Sequence, residues 1–143
     1  MQLFKDCGCG CNGGIAQQKF IISMFAACIF FIVMNENVYK VTRGMLGNWV
    51  ADSTGCPTAP GFLLHTVVFA LIAFLTMIIR ERDNLGEKMR ISLMSGAIFY
   101  VIANPSAFKA VSKILGNWVA DSKGCPSIKG LMTHTAVFVL IIY

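Results

Sequence analysis

Apolar residues gather in four runs. Phe20–Met34 is 15 residues long and is interrupted only by Ser23, and Gly61–Ile79 is 19 residues with one histidine and no formal charge. Ile91–Ala103 is 13 residues, and Gly130–Tyr143 is the fourth run. At 1.5 Å per residue an α-helix over Gly61–Ile79 is ~28 Å long, close to a bilayer core, and one over Phe20–Met34 is ~22 Å. The third run alone reads as a buried soluble helix, but its register with Phe20–Met34 predicts a span. Arg80-Glu81-Arg82-Asp83 is a charged stop after the second run. The fourth run lacks a counterpart of Leu75–Ile79, so the pattern expects apolar residues beyond Tyr143.

The runs belong to an internal repeat. A shift of 69 residues aligns Leu46-Gly47-Asn48-Trp49-Val50-Ala51-Asp52-Ser53 with Leu115-Gly116-Asn117-Trp118-Val119-Ala120-Asp121-Ser122 without a gap. Gly55-Cys56-Pro57, Gly61, His65-Thr66 and Val68-Phe69 return in the same register. From Lys19 to Phe74 the copies share 25 identities over 56 positions. Two spans per repeat is an even number, so both copies enter a membrane the same way up, related by a twofold along its normal. The predicted fold is an all-α membrane protein of four spans: about 20–34 and 61–79 in repeat 1 (19–84), and about 89–103 and 130–143 in repeat 2 (85–143). A Cys/Gly-rich tail, 1–18, precedes them. Ser23-x-x-x-Ala27 and Ser92-x-x-x-Gly96 place small residues four apart at matching positions, which predicts close helix packing.

Between the spans of each repeat lies a shorter pattern. Val38, Val41, Met45, Leu46 and Trp49 share one helical face, with Lys40, Arg43 and Asn48 away from it. The second copy sets Ala107, Val111, Ile114, Leu115 and Trp118 against Lys109, Lys113 and Asn117. Each predicts an amphipathic interfacial helix, lying either on lipid or docked on the span ends. Trp49, Trp118, Lys40, Arg43, Lys109 and Lys113 are the candidate membrane or partner contacts. Pro105 fits a helix break and restart. Gly55 and Gly124 suit helix C-terminal turns, and Pro57 and Pro126 reset the chain before the next span.

Composition agrees with a membrane location. Hydrophobic residues make up 56% and charged residues 13%, against roughly 25% charge in an average soluble domain. The net charge of +5 comes from dispersed Lys and Arg beside apolar runs, which suits lipid headgroups or an acidic protein face rather than nucleic acid. Orientation stays open. Lys5, Lys19, Arg80, Arg82, Lys88 and Arg90 fall on the N-terminal side, and Lys40, Arg43, Lys109, Lys113, Lys123 and Lys129 on the loop side, six against six.

Candidate chemistry is sparse. His65 and His134 sit about one turn inside apolar runs, near Asp52 and Asp121 in the repeat. Two readings stand: a metal or proton site around the axis, or imidazoles that lock loop to span by hydrogen bonds. The locking reading is preferred, and neither a metal nor a cofactor is expected. Cys56 and Cys125 are repeat equivalents, and either pair with each other or stay reduced in buried turns. Cys7-Gly8-Cys9-Gly10-Cys11 reads first as a site of acylation or disulfide formation, next as a flexible tail of unmodified thiols, and last as a soft-metal site. There is no phosphate-binding Gly-rich loop, no H-E-x-x-H and no G-x-S-x-G, so no enzymatic activity is expected.

The stretch Gly55-Cys56-Pro57-x3-Gly61 running into Leu63-Leu64-His65-Thr66-x-Val68-Phe69, with its second copy, resembles small multi-span membrane proteins of nucleocytoplasmic large DNA viruses, such as algal chloroviruses. The likeness covers Leu46–Leu71 and Leu115–Leu140. It implies a virion membrane or minor capsid component that tethers an internal bilayer to a capsid lattice. Its partners would be the bilayer and other capsid or membrane proteins, in an oligomer or lattice. A small channel or transporter of two parallel repeats is the alternative, although the spans lack a row of polar residues facing a common lumen.

Overall fold

The computed structural model describes residues 12–79 and 84–143. The described residues form six helices: α1 (Asn12–Met34), α2 (Glu36–Leu46), α3 (Ala59–Ile78), α4 (Leu85–Ala103), α5 (Pro105–Leu115) and α6 (Ile128–Ile142). No strand occurs among the described residues, only two isolated bridges, Ala51 to Pro57 and Ala120 to Pro126. The bridges are repeat equivalents, as are α1 and α4, α2 and α5, and α3 and α6. Ala59–Ile78 is the one described helix that is alone long and apolar enough to cross a membrane. Lys19–Met34 with Glu36–Leu46, bent by 55°, and Leu85–Ala103 with Pro105–Leu115, bent by 46°, reach that level only jointly, and α6 is a shorter apolar helix.

The helix ends follow from local chemistry. Asn35 and Asn104 adopt extended backbone, and their side chains accept from the amides of Asn37 and Ser106, so each caps the short helix that follows. The first long helix thus stops at Met34 and its equivalent at Ala103. Upstream, α1 begins at Asn12, within the stretch expected as a tail. Residues such as Gln17 and Lys19 propagate a helix at little cost once the apolar run has nucleated one. Gly47 (φ 106°) and Gly116 (φ 109°) close α2 and α5, donating to the carbonyls of Arg43 and Ser112. These two take the C-terminal role that the sequence suggested for Gly55 and Gly124. The latter pair (φ 88° each) instead lies in the next turn, where only a glycine adopts that backbone without strain.

The long helices form a ring in the order α1, α3, α4, α6, with α3 packed most extensively on α4 and α1 on α6. Each repeat therefore leans mainly on the other. At the centre Phe30, Phe69, Phe99 and Phe138 are almost wholly excluded from solvent. Phe69 stacks on Phe99 at 4.4 Å between ring centres and Phe30 on Phe138 at 4.8 Å. Edge contacts join Phe30 to Phe99 and Phe69 to Phe138. Each pair is a repeat equivalent, so the four rings mark the pseudo-twofold axis. Ser92 donates to the Ala70 carbonyl at 2.6 Å, and a Cβ on Gly96 would meet the Ala70 Cβ at 3.0 Å. The small-residue pair of α4 thus seats α3 closely, and Ser23 and Ala27 are buried at the matching places on α1.

Candidate functional site

The two interhelical loops form a paired head at one end of the ring. In the first loop Asp52 accepts at Oδ1 from the Thr54 amide (2.8 Å), the Thr54 hydroxyl (2.6 Å) and the Cys56 amide (3.0 Å). In the second, Asp121 accepts from the amides of Lys123 and Cys125, each at 2.9 Å. Each aspartate folds a tight turn that delivers a cysteine to the axis. There Cys56 and Cys125 are joined by a disulfide, with their Cα atoms 5.4 Å apart. The heads are further tied by Thr58 and Ser127, whose hydroxyls donate to the carbonyls of Trp49 and Trp118 and accept from the amides of Gly61 and Gly130. The loop therefore closes directly onto the first turn of the next helix.

Hydrogen bonding sets the charge state of Asp52. The Thr54 hydroxyl, aided by the Cys56 and Thr54 amides and by Lys123 of the other repeat, holds its carboxyl below the usual range although burial pushes the other way. The folded value lies below the unfolded one, so ionised Asp52 stabilises the fold above the ordinary carboxylate pKa of about 3.9. That contribution disappears as pH falls through the lower folded value. Thermal unfolding of wild type and Asp52→Asn from pH 6 down to pH 2.5 should show a smaller acid-side decline in the variant. Identical acid limbs would deny Asp52 this part.

His65 and His134 do not join the aspartates. Among the described residues no group of three or more His, Cys, Asp and Glu is placed to hold a metal ion. His65 Nδ1 lies 2.8 Å from the Val33 carbonyl, and His134 Nδ1 lies 2.8 Å from the Ile102 carbonyl. A carbonyl only accepts, so the proton is on Nδ1. Both acceptors sit in the last turn of a helix, where carbonyls have lost their intrahelical donors. The imidazoles thus link α3 to α1 and α6 to α4, helix to helix rather than loop to helix. Tyr39 stacks on His65 and Phe108 on His134, each with ring centres 3.8 Å apart. His65→Phe keeps a ring against Tyr39 but strips the Val33 carbonyl of its donor. Unfolding in detergent should then show a loss of roughly 1–3 kcal/mol, the cost of a buried unsatisfied acceptor. An unchanged transition would mean that water replaces the imidazole.

Tyr39 and Phe108 are the residues by which α2 and α5 dock on the long helices. Both are fully buried, and Arg43, expected on the outer face, is half-buried with its Nε secluded. Of the apolar stripe, Val41, Met45 and Leu46 on α2 and Ile114 and Leu115 on α5 are exposed, while Val38, Ala107 and Val111 are half-buried, Val111 against the core. The docked faces are mixed: Tyr39 with half-buried Thr42 and Arg43 on α2, and Phe108 with buried Ser112 and half-buried Val111 on α5. Lys40, Lys109 and Lys113 are exposed, with Lys40 paired to Glu36 at 3.5 Å. Trp49 and Trp118 fall beyond the helix ends and stay half-exposed. Their indole Nε1–H groups donate to the Leu46 and Leu115 carbonyls at 2.7 Å, capping α2 and α5.

The aromatic partners of the histidines escaped the sequence reading, although Tyr39 and Phe108 are aromatic at equivalent positions. So did the hydroxyl residues Thr58 and Ser127, which are chemically alike across the repeats but not identical. Cys7, Cys9 and Cys11 lie outside the described residues. Compared with protein-family models, curated proteins and solved structures, the chain matches none of them.

Proposed function

We propose that the chain is a structural, non-enzymatic membrane protein in which α1, α3, α4 and α6 cross a bilayer as two tandem hairpins. The paired loop head then projects on one side and binds a protein lattice. One observation carries the membrane part: large apolar residues are exposed on every long helix. Phe20 and Ile32 on α1, Leu63 and Leu71 on α3, Leu93 and Val101 on α4, and Leu140 on α6 are all more than half exposed. Water does not tolerate so broad an apolar belt on a monomer, whereas lipid does. The outward rows of α2 and α5, with the two tryptophans, suit the interface level. A head braced by two capped turns and a disulfide suits a fixed contact better than a moving gate.

The likeness to viral membrane proteins makes an icosahedral capsid around an internal membrane the preferred lattice. The axial phenylalanines speak against the channel alternative, because they fill the centre of the ring. The test is location and retention. Full-length protein should resist alkaline extraction from membranes and should be found by mass spectrometry in purified particles. Lys40→Glu, Lys109→Glu and Lys113→Glu together should leave membrane insertion intact and reduce retention in the particle. Release by alkaline extraction would overturn the membrane assignment. Ion flux through reconstituted liposomes would replace the structural reading with the channel.

A further inference from the structure

The two repeats differ in charge at the loop head. On α2, Lys40 is paired with Glu36 at 3.5 Å. On α5, Pro105 takes the place of Glu36 and Lys113 that of Gly44, so Lys109 and Lys113 stand one helical turn apart on an exposed flank. Neither ammonium has an ion pair or hydrogen bond among the described residues. The small Ser112 also replaces Arg43, and its buried hydroxyl is turned back to the Ala120 carbonyl at 3.1 Å. Beside it lies an open cleft of about 640 Å³, lined by Lys109, Ser112, Lys113, Asn117, Asp121 and Ser122. Asp121 is exposed, whereas its equivalent Asp52 is half-buried.

We propose that this cleft receives a glutamate or aspartate side chain of the partner protein, which supplies from outside the counter-charge that Glu36 supplies within repeat 1. The proposal rests on the lattice-binding reading above and names the chemistry of that contact. A carboxylate has two oxygens, one for each ammonium, and the exposed Asn117 amide can donate to either. Asp121 selects the class of ligand. Its Oδ1 is committed to the Lys123 and Cys125 amides, yet its charge lies at the cleft wall. A phosphate dianion is repelled there, whereas a peptide brings one carboxylate together with backbone N–H groups that an aspartate accepts. Position disfavours a lipid headgroup as well. Ile114, 82% exposed, directly follows Lys113 and so points about 100° away from it round α5. With Ile114 turned to lipid, the lysines turn out of it toward the protein side.

The probe is a capped pentapeptide with one central glutamate among glycines, added to the full-length chain in phosphatidylcholine vesicles. A water-soluble carbodiimide joins its carboxylate to the amines it touches, and adducts are mapped by mass spectrometry. Adducts on Lys109 and Lys113 are expected to exceed those on the exposed Lys123 and Lys129 by about fivefold, as one exposed ion pair allows. Ser112→Arg should remove that excess although it adds a positive charge, because the side chain that repeat 1 carries at this place fills the cleft. Ser122→Arg, at the exposed rim, should do the same without disturbing the Ser112 hydroxyl, and Ser112→Ala should keep the excess. Retention in purified particles should fall in both arginine variants, as expected for the three lysine changes. Equal labelling of all four lysines in the wild type would overturn the cleft, and so would an excess that survives in both arginine variants. Loss of the excess when phosphatidylglycerol replaces part of the phosphatidylcholine would overturn it in favour of lipid headgroups. Retention that falls with the lysine changes but with neither arginine variant would overturn the cleft and leave the lattice reading standing. Retention unmoved by any of them would overturn the lattice reading itself.

Discussion

Gly61→Ala should separate the first loop head from α3 and cost about 3 kcal/mol or more. A Cβ on Gly61 would sit 1.7 Å from the Val50 carbonyl oxygen and 2.5 Å from its carbon. The obstacle is backbone, so no rotamer change relieves it. The same carbonyl accepts from the Thr58 amide at 3.1 Å and the Thr58 hydroxyl at 3.0 Å. Val50 is also fully buried, so moving it disrupts the loop core. Inserting one methyl into a packed site costs typically about 1–3 kcal/mol when side chains can adjust, and here they cannot. Gly130→Ala meets the Val119 oxygen at 1.8 Å and should behave alike. Gly44→Ala is the control: nothing lies within 4 Å, and alanine within a helix should be neutral or gain up to about 1 kcal/mol. Thermal unfolding in detergent reads the difference, and non-reducing gels should show less Cys56–Cys125 linkage in Gly61→Ala. Wild-type behaviour of that variant would mean that the loop does not dock on the helix as described.

The contrast between Gly61 and Gly44 shows what the residues alone reveal. Gly61 returns as Gly130 in the repeat, whereas Gly44 aligns with Lys113. Identity across the copies therefore flagged the contact glycine, but only the folded loop shows what it touches. The same holds for Phe30, Phe69, Phe99 and Phe138: their recurrence was visible, and their meeting on one axis was not, because the contacts join residues from different repeats. The break before Pro105 was legible because proline does not continue a helix, and the apolar runs bounded the spans at Met34 and Ala103; the caps supplied by Asn35 and Asn104 emerge only in the folded chain. The docked face of α2 was not, since hydropathy cannot distinguish apolar surface turned to protein from apolar surface turned to lipid. Tyr39 went inward because a histidine on α3 offered it a stacking partner. Asp52 and His65 looked like one chemical cluster by proximity in sequence. Each is instead satisfied locally, the carboxylate by turn amides and the imidazole by a helix-terminal carbonyl.

Opening the Cys56–Cys125 bond should be the other large perturbation, and it should report on compartment as well as stability. The bond joins positions 69 residues apart, one full repeat. Constraining a loop of that length in the unfolded chain corresponds to a stabilisation of about 4 kcal/mol. In the proposed bilayer arrangement the helices have less freedom to lose, so that figure is an upper bound and the measured loss in Cys56→Ser should fall below it. Cys125→Ser should give the same loss, and the double variant should add nothing, because either change removes the same bond. Reductant should lower the wild-type transition to that of the variants and leave theirs unmoved. The equal count of basic residues on the two sides says nothing about orientation, but the bond does: a disulfide persists where the medium is oxidising. Protein taken from native membranes and alkylated at once should therefore carry a blocked Cys56–Cys125 pair. Capture of both cysteines as free thiols, with no stability difference between wild type and Cys56→Ser, would leave the two repeats held by the aromatic core alone and place the loop head on a reducing side.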